Sequence, residues 1–362
     1  MMSQDEPFLT TVVGSMPRPQ YIKELAGERV AGRLSHDDFQ QMMDKAVPHI
    51  IQMQEQAGLD IISDGEWRRV SYSDIIADIC DGFRYVTKEV QGEQQRVPVV
   101  VEEMQLVRQG QFAREARFLK AHTQRRIKVA MPSPFLLGER LWDRELSAKA
   151  YPSKRAFTEA LVPVLRQELI FLRDAAADVA QFDDTQFCLF VDPEIRSRYD
   201  DPEEEMNYCI EMLNRITEGV GGIKLALHLC RRYKGRSGWF GEGGYEAILP
   251  ALSRLRFHLV LMEFAMPKAG GMEVLKELPD HLDVGIGCID CRDPRIETPE
   301  TVVQRVERAL PFVAPGRVYM QPDCGFAPGS DMDIPIDEAY GKLKSMVEAA
   351  KRLRRKYGTG SG

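Results

Sequence analysis

The stretch "KLALHLC", Lys224 to Cys230, closes an alternating apolar run with a histidine and a cysteine two residues apart. Leu225, Leu227 and Leu229 alternate with Ala226 and His228, the period of a strand, so His228 and Cys230 point to one side of it. An imidazole and a thiol at a strand's C-terminal end are half of a zinc site, or else a core histidine beside an inert buried cysteine. Further donors end other apolar runs: Glu263 in "HLVLMEFA" and Cys324 in "GRVYMQPDCG". Zinc accepts thiolate, imidazole and carboxylate together, so His228, Cys230, Glu263 and Cys324 would complete a tetrahedron if the fold brought them together. Two thiolates, one carboxylate and a neutral imidazole would leave that centre net negative. Such a centre suits an incoming thiol, held as a reactive thiolate, better than water. A free thiol titrates near ~8.5, whereas one bound to zinc is deprotonated outright. The chemistry this predicts is attack of a thiolate on an electrophilic carbon. A competing reading makes Cys324 a covalent nucleophile with His228 as its base.

Eight apolar runs could position these groups, and most end in a polar residue: "TVVGSM", "LDIISDGE", "RRIKVAMPSP", "DVAQFDDTQ", "IKLALHLC", "HLVLMEFA", "LDVGIGCID" and "GRVYMQPDCG". Most are separated by segments of helical period, such as "DFQQMMDKAVPHIIQMQEQAG" and "TPETVVQRVERALPFV". Eight strand-plus-helix units with polar strand ends predict a (β/α)8 TIM barrel with its chemistry at one face. A doubly wound sheet would also alternate, but "VGSMPRP" lacks the glycine fingerprint of a dinucleotide site. The expectation is a single catalytic domain over residues 1–362. Residues 82–106 read as an inserted β-hairpin turning near Gly92, either a cover or a dimerisation element, so a homo-oligomer is open. Residues 231–246 form a glycine-rich basic loop, in which Arg231, Arg232, Lys234 and Arg236 make either a lid over an anion or a solvated surface.

Composition narrows the class. The 362 residues are 44% hydrophobic and 28% charged, enough for a large core. A net charge of -7 with no basic tail argues against a nucleic-acid partner. No apolar run approaches the ~20 residues that span a bilayer, and "MMSQDEPF" has the character of neither a signal nor a transit peptide, so a cytoplasmic enzyme is expected. Seven cysteines are too sparse for a disulfide framework. Cys288 and Cys291 form a C-x-x-C pair whose side chains a strand would turn to opposite faces, and they read as structural.

Together, "HLC", "MEFA" and "PDCG" resemble the catalytic barrel of the cobalamin-independent methionine synthases, a family with epoxyalkane:coenzyme M transferase among its relatives. The similarity runs from "VVGSMPRP" to "PDCGF". It implies Zn2+ on His228, Cys230, Glu263 and Cys324, these being the catalytic residues, with a substrate thiol loosening Glu263 as it arrives. The family's Ile-Gly-Ser is met by Val13, Gly14 and Ser15, implying that Gly14 and Ser15 hold an amino acid's carboxylate. Its His-Gly-Glu is met by Asp64, Gly65 and Glu66, and its Asp-Glu-Pro by Asp183, Asp184 and Thr185. Glu66 and Asp183 would then bind the substrate's ammonium, although Asp64, Asp183 and Asp184 could each be a helix cap.

The resemblance thus implies methyl transfer to homocysteine, giving methionine. The methyl donor would be a folate or a methyl-corrinoid protein, since the chain has room for only one of the two barrels of the full-length enzymes. The strand-three Gly-Pro-Val-Thr is replaced by "MPSPFLLG", and Trp142 beyond it has no clear counterpart among pterin-stacking residues. The alternative keeps the zinc chemistry and changes the acceptor to coenzyme M or another small thiol. A metal-free decarboxylase would leave the thiolates and Glu263 unexplained, and a non-catalytic zinc scaffold would be closed to added thiols.

Overall fold

Seven of the eight apolar runs contain a strand, and the first, "TVVGSM", directly follows one and adds a bridge at Thr11. A computed structural model describes residues 6–90, 93–231, 236, 241–327 and 334–358. Strands β1 (Leu9–Thr10) and β2 (Ile61–Ile62) come first, followed by an antiparallel pair, β3 (Cys80–Val90) and β4 (Glu93–Leu106). Then come β5 (Arg126–Pro132), β6 (Val179–Asp183), β7 (Lys224–His228), β8 (Leu259–Glu263), β9 (Asp283–Ile289) and β10 (Val318–Pro322). Eight of them pair in the order β1-β10-β9-β8-β7-β6-β5-β2, all in parallel, and a parallel bridge between Thr11 and Ile61 joins the two ends. The result is a closed (β/α)8 TIM barrel.

β1 and β2 are short, and side chains reinforce that seam. Asp60 Oδ2 accepts from Thr10 N and Oγ1, both at 2.7 Å, and from Arg354 at 2.5 Å. Arg354 belongs to the last helix, Ile336–Tyr357, and also donates to the Phe8 carbonyl at 2.9 Å, tying the chain's end to its start.

The helices begin where local chemistry lets them. Ser35 accepts the Asp38 N–H to open helix His36–Ala57, and Gly58, at φ 91°, ends it in the left-handed conformation. Ser153 and Thr298 cap helices Lys154–Asp174 and Pro299–Glu307 in the same way. Their buried stripes, such as Phe39, Met43, Val47 and Ile50, pack on the barrel's outside.

Strand alternation sorts the interior. Leu9, Ile61, Val179, Ala226, Leu259, Leu261 and Tyr319, from six strands, form their own apolar cluster, which closes the barrel nearer the strand starts. Above it Gln181 donates to the Val13 carbonyl at 2.9 Å, Gln321 donates to Gly285 at 3.0 Å, and Lys128 donates to Val12. Two residues further along β6, β7 and β8 on the same face stand Asp183, His228 and Glu263.

The β3–β4 pair stands where the inserted hairpin was read. It is fastened to its own chain: the Val100 carbonyl accepts from Ser147 Oγ at 2.5 Å, Met104 N donates to the Tyr151 hydroxyl at 2.9 Å, and Lys88 pairs with Asp143 at 2.6 Å. Gly92, read as its turn, lies outside the described residues, as do Arg232 and Lys234 of the basic loop. No helix among the described residues is long and apolar enough to cross a membrane.

Candidate metal and substrate site

His228 ends β7, and its Nδ1 lies 2.9 Å from Asp183 Oδ1 on the neighbouring strand. An Nδ1–H donated there fixes the tautomer and leaves the Nε2 lone pair available to a metal. Nε2 is buried and has no hydrogen-bond partner among the described residues. Cys230, two residues on, sets its sulfur 3.2 Å from that of Cys324. One ligand atom each from His228, Cys230 and Cys324 lies within 4.8 Å of the others, and all three residues are buried.

Cys324 arrives there because of its neighbours. A register shift between Gln321 and Pro322 ends β10 irregularly, which re-aims the residues that follow. Asp323 Oδ1 then accepts the N–H groups of Phe264 and Ala265 at 3.0 and 2.9 Å, while its Oδ2 takes Arg292 at 2.7 Å. That latch joins the ends of β8 and β10. Cys291 donates to the Cys324 carbonyl at 3.2 Å, and Cys288 lies 3.5 Å from the Gln321 carbonyl. The C-x-x-C pair thus supports the loop and stays outside the three-donor group.

Glu263 is buried at the end of β8 but also lies outside that group. Its Oε2 accepts from Arg231 at 3.0 Å. Burial and the nearby Cys230 push its carboxyl up to about 8, against the pull of Arg231. The Cys324 thiol is held well above its ordinary value by its hydrogen bond to Cys230 and by burial. Burial would lower the His228 pKa, but Asp183 and the Cys230 sulfur outweigh it and raise it to about 10. Two thiols set sulfur to sulfur beside an unpartnered buried imidazole nitrogen fit a zinc ion by their chemistry.

Across the barrel mouth stands a second group of buried polar residues. Glu66 is 8% exposed and has φ 59°, a left-handed backbone that is uncommon outside glycine and typical of functional turns. Asp64 Oδ1 accepts the Glu66 N–H at 2.9 Å, and Arg18 donates to the Glu66 carbonyl at 3.2 Å, which together hold the turn. A Cβ on Gly14 would stand 2.2 Å from Glu66 Oε1, so only glycine lets the carboxylate lie against that backbone. Likewise a Cβ on Gly325 would meet Ser15 Oγ at 2.2 Å, placing Ser15 against the residue after Cys324. Burial pushes Glu66 up to about 7; Asp183 and Asp64 add to that effect, and Arg69 and Arg18 oppose it. A buried carboxylate of this kind gains from a cation, such as a ligand's ammonium.

The adjacent aspartates divide the work. Asp184 caps the short helix that starts at Thr185, accepting from Phe187 N at 2.8 Å and from Ser133 Oγ at 2.6 Å. Asp183 instead faces the mouth, and its Oδ1 accepts from Gln181 at 2.8 Å as well as contacting His228.

Two residues near the site carry no signal strong enough to single them out in the sequence. Lys128 lies buried beneath Glu66 and Asp183, and burial lowers its pKa to about 7 against the pull of those two carboxylates. Arg69 pairs with Glu115 at 2.5 Å and donates to the Ala130 carbonyl at 2.7 Å, setting a fixed positive charge near Glu66. A lysine inside the apolar run "IKVAM" was the available signal for the first. Arg231, grouped with the basic loop on sequence, is corrected by its burial, at 1% exposure, behind Glu263. Arg236 is exposed and pairs with Glu338 at 2.7 Å. Trp142 donates to the Tyr151 carbonyl at 3.0 Å and packs on the core, a structural placement.

The chain matches the family model of the cobalamin-independent synthase catalytic domain over residues 8–352. Methionine synthases of Saccharolobus solfataricus and Sulfurisphaera tokodaii are 27% and 28% identical over 348 and 349 residues; each alignment covers 95% of this chain, and 94% and 92% of theirs. A B12-independent methionine synthase structure from Shewanella sp. W3-18-1, in complex with selenomethionine, aligns with a TM-score of 0.78 at 24% identity, covering 97% of this chain and 98% of that one. A methyltransferase from Methanosarcina mazei aligns at 0.52 and 13% identity, over 96% and 94% of the two chains. These two structures share the fold.

Proposed function

This chain belongs to the family of cobalamin-independent synthase catalytic domains, and from that premise we propose that it is a zinc-dependent S-methyltransferase that methylates homocysteine to methionine. The observation that carries the reading is the convergence of His228, Cys230 and Cys324 within 4.8 Å, joined through Asp183 to the buried carboxylate of Glu66 nearby. Zinc on that group would supply the Lewis acidity that lowers a substrate thiol's pKa into the neutral range.

The remaining work falls to the chain. Asp183 keeps the His228 ring oriented through Nδ1. Glu66 and Asp183 hold the amino acid's ammonium, and the Gly14–Ser15 backbone receives its carboxylate. These anchors fix the substrate's sulfur beside Cys230 and Cys324, aimed at the donor's methyl carbon for in-line attack. Glu263 would be the fourth, weaker oxygen donor, with Arg231 as its other partner. The carboxylate pair favours an acceptor with an ammonium, so homocysteine ranks above coenzyme M.

Zinc-edge X-ray absorption on the purified protein tests the reading. Two sulfurs are expected at rest and three with homocysteine, with no change on adding coenzyme M. A rise with coenzyme M alone moves the acceptor to that thiol, and zinc indifferent to both thiols sinks the catalytic reading. Turnover with methyltetrahydrofolate, its triglutamate form or methylcobalamin then sorts the donors, with the folates expected to serve.

A further inference from the structure

The residue after Cys230 is an arginine, and almost none of it reaches solvent. A guanidinium at this depth needs partners, and Arg231 has four. Nη1 donates to the Tyr245 hydroxyl at 2.8 Å and to Glu263 Oε2 at 3.0 Å; Nη2 donates to the Gly243 and Ala269 carbonyls at 2.9 and 3.0 Å. The Tyr245 ring lies 4.2 Å from the guanidinium carbon, and its hydroxyl also accepts the Glu263 N–H at 2.8 Å. Loop, ring and strand end therefore hold this cation in one place.

That place matters because of register. His228 pairs with Leu261 across β7 and β8, so Cys230 and Glu263, each two residues further along, come side by side. Glu263 thus stands between a cation on its own side and a group of soft donors on the other. A buried carboxylate that leaves one cation for apolar surroundings pays a heavy desolvation cost, whereas a charge-assisted hydrogen bond at the destination removes most of it.

We propose that Arg231 is a positioning residue that holds Glu263 on a second, buried cationic partner beside the His228–Cys230–Cys324 group, so that the carboxylate is exchanged between arginine and metal. The inference rests on the zinc reading above. It makes Arg231 a competitor of the metal for one ligand, setting how firmly the fourth position is filled and how easily a thiol takes it.

The test is a double-mutant cycle on zinc affinity, read without turnover. Arg231→Met is made alone and with Glu263→Gln in the full chain, and zinc Kd is measured by competition with a chromophoric chelator. Removing the rival cation in the wild-type background should tighten zinc by about tenfold and raise the homocysteine concentration that adds a third sulfur by a similar factor. In the Glu263→Gln background the same substitution should change zinc Kd by less than about twofold. Tyr245→Phe, which spares the Arg231 charge and its carbonyl contacts, should shift zinc Kd in the same direction by a smaller step. It carries the test if Arg231→Met does not fold. Equal changes in both backgrounds, or none in either, overturn the assignment and leave the zinc reading standing. A wild-type protein that binds no zinc overturns both.

Discussion

The two halves of the barrel mouth solve opposite electrostatic problems. On the side of β7, β8 and β10, two thiols, an imidazole and a carboxylate are crowded together with Arg231 and Arg292 set behind them, and the donors carry raised pKa values. On the side of β1, β2 and β6, Glu66 and Asp183 face the mouth beside the fixed charge of Arg69 and above Lys128, whose pKa burial brings down to about 7. The first half gathers donors that could hold a metal cation. The second is nearly balanced and gains from a small organic one. The side-chain hydrogen bond from His228 to Asp183 links them, so one aspartate serves both.

The harshest test of that division is to remove a soft donor. Cys324→Ser leaves the carboxylate half untouched and replaces a thiolate with a poor ligand. Zinc content should fall by more than ~100-fold in affinity and methyl transfer should disappear, while methionine still binds. Full zinc content and turnover in this variant would place Cys324 outside the ligand set and break the comparison at its base.

The shared residue should give the next largest effect. Asp183→Asn keeps the shape but weakens the acceptor at Nδ1, so zinc affinity should drop by about 10–100-fold, and the KM for homocysteine should rise as well. Glu66→Gln should raise only KM, by roughly tenfold, with zinc Kd unchanged. If the two variants had the same zinc affinity, Asp183 would belong to the substrate half alone and the halves would be independent.

Much of this arrangement is legible in the sequence because barrel strands advertise their ends. The alternating leucines of "KLALHLC" both predict β7 and put His228 and Cys230 on one face, and "PDCG" and "MEFA" end their runs in the same manner. The β-rich insertion was also visible, since hairpin periodicity is local. What is hidden is pairing across the barrel. Nothing near Arg231 in sequence announces that it faces Glu263, 32 residues away, rather than water. A run of arginines and glycines reads as surface because most such runs are. Lys128 escaped for the converse reason: one lysine in an apolar run looks like a strand edge, and only register with Val179 places it inside the barrel. The resemblance singled out Asp183 for the ammonium, while its contact with His228 and the helix cap made by Asp184 show only in the fold.

The smallest expected effect is also the one that isolates the carboxylate half. Glu66, pushed up to about 7 mainly by burial, is largely protonated in the free enzyme below that pH and ionised above it. An ammonium beside it favours the carboxylate, so binding a cationic amino acid lowers the Glu66 pKa and expels its proton. Methionine is the right probe, because it has the ammonium and no thiol whose own proton would be counted. Titration calorimetry in buffers of differing ionisation enthalpy should show release of a sizeable fraction of a proton per methionine near pH 6, fading toward zero by about pH 8.5. Lys128, lowered to about 7, would release a proton in the same range, because an added cation lowers its pKa further. Glu66→Gln separates the two. If the release vanishes in that variant, Glu66 is the group that meets the ammonium. If it persists undiminished, the proton comes from Lys128, and the carboxylate half is governed by the lysine beneath it.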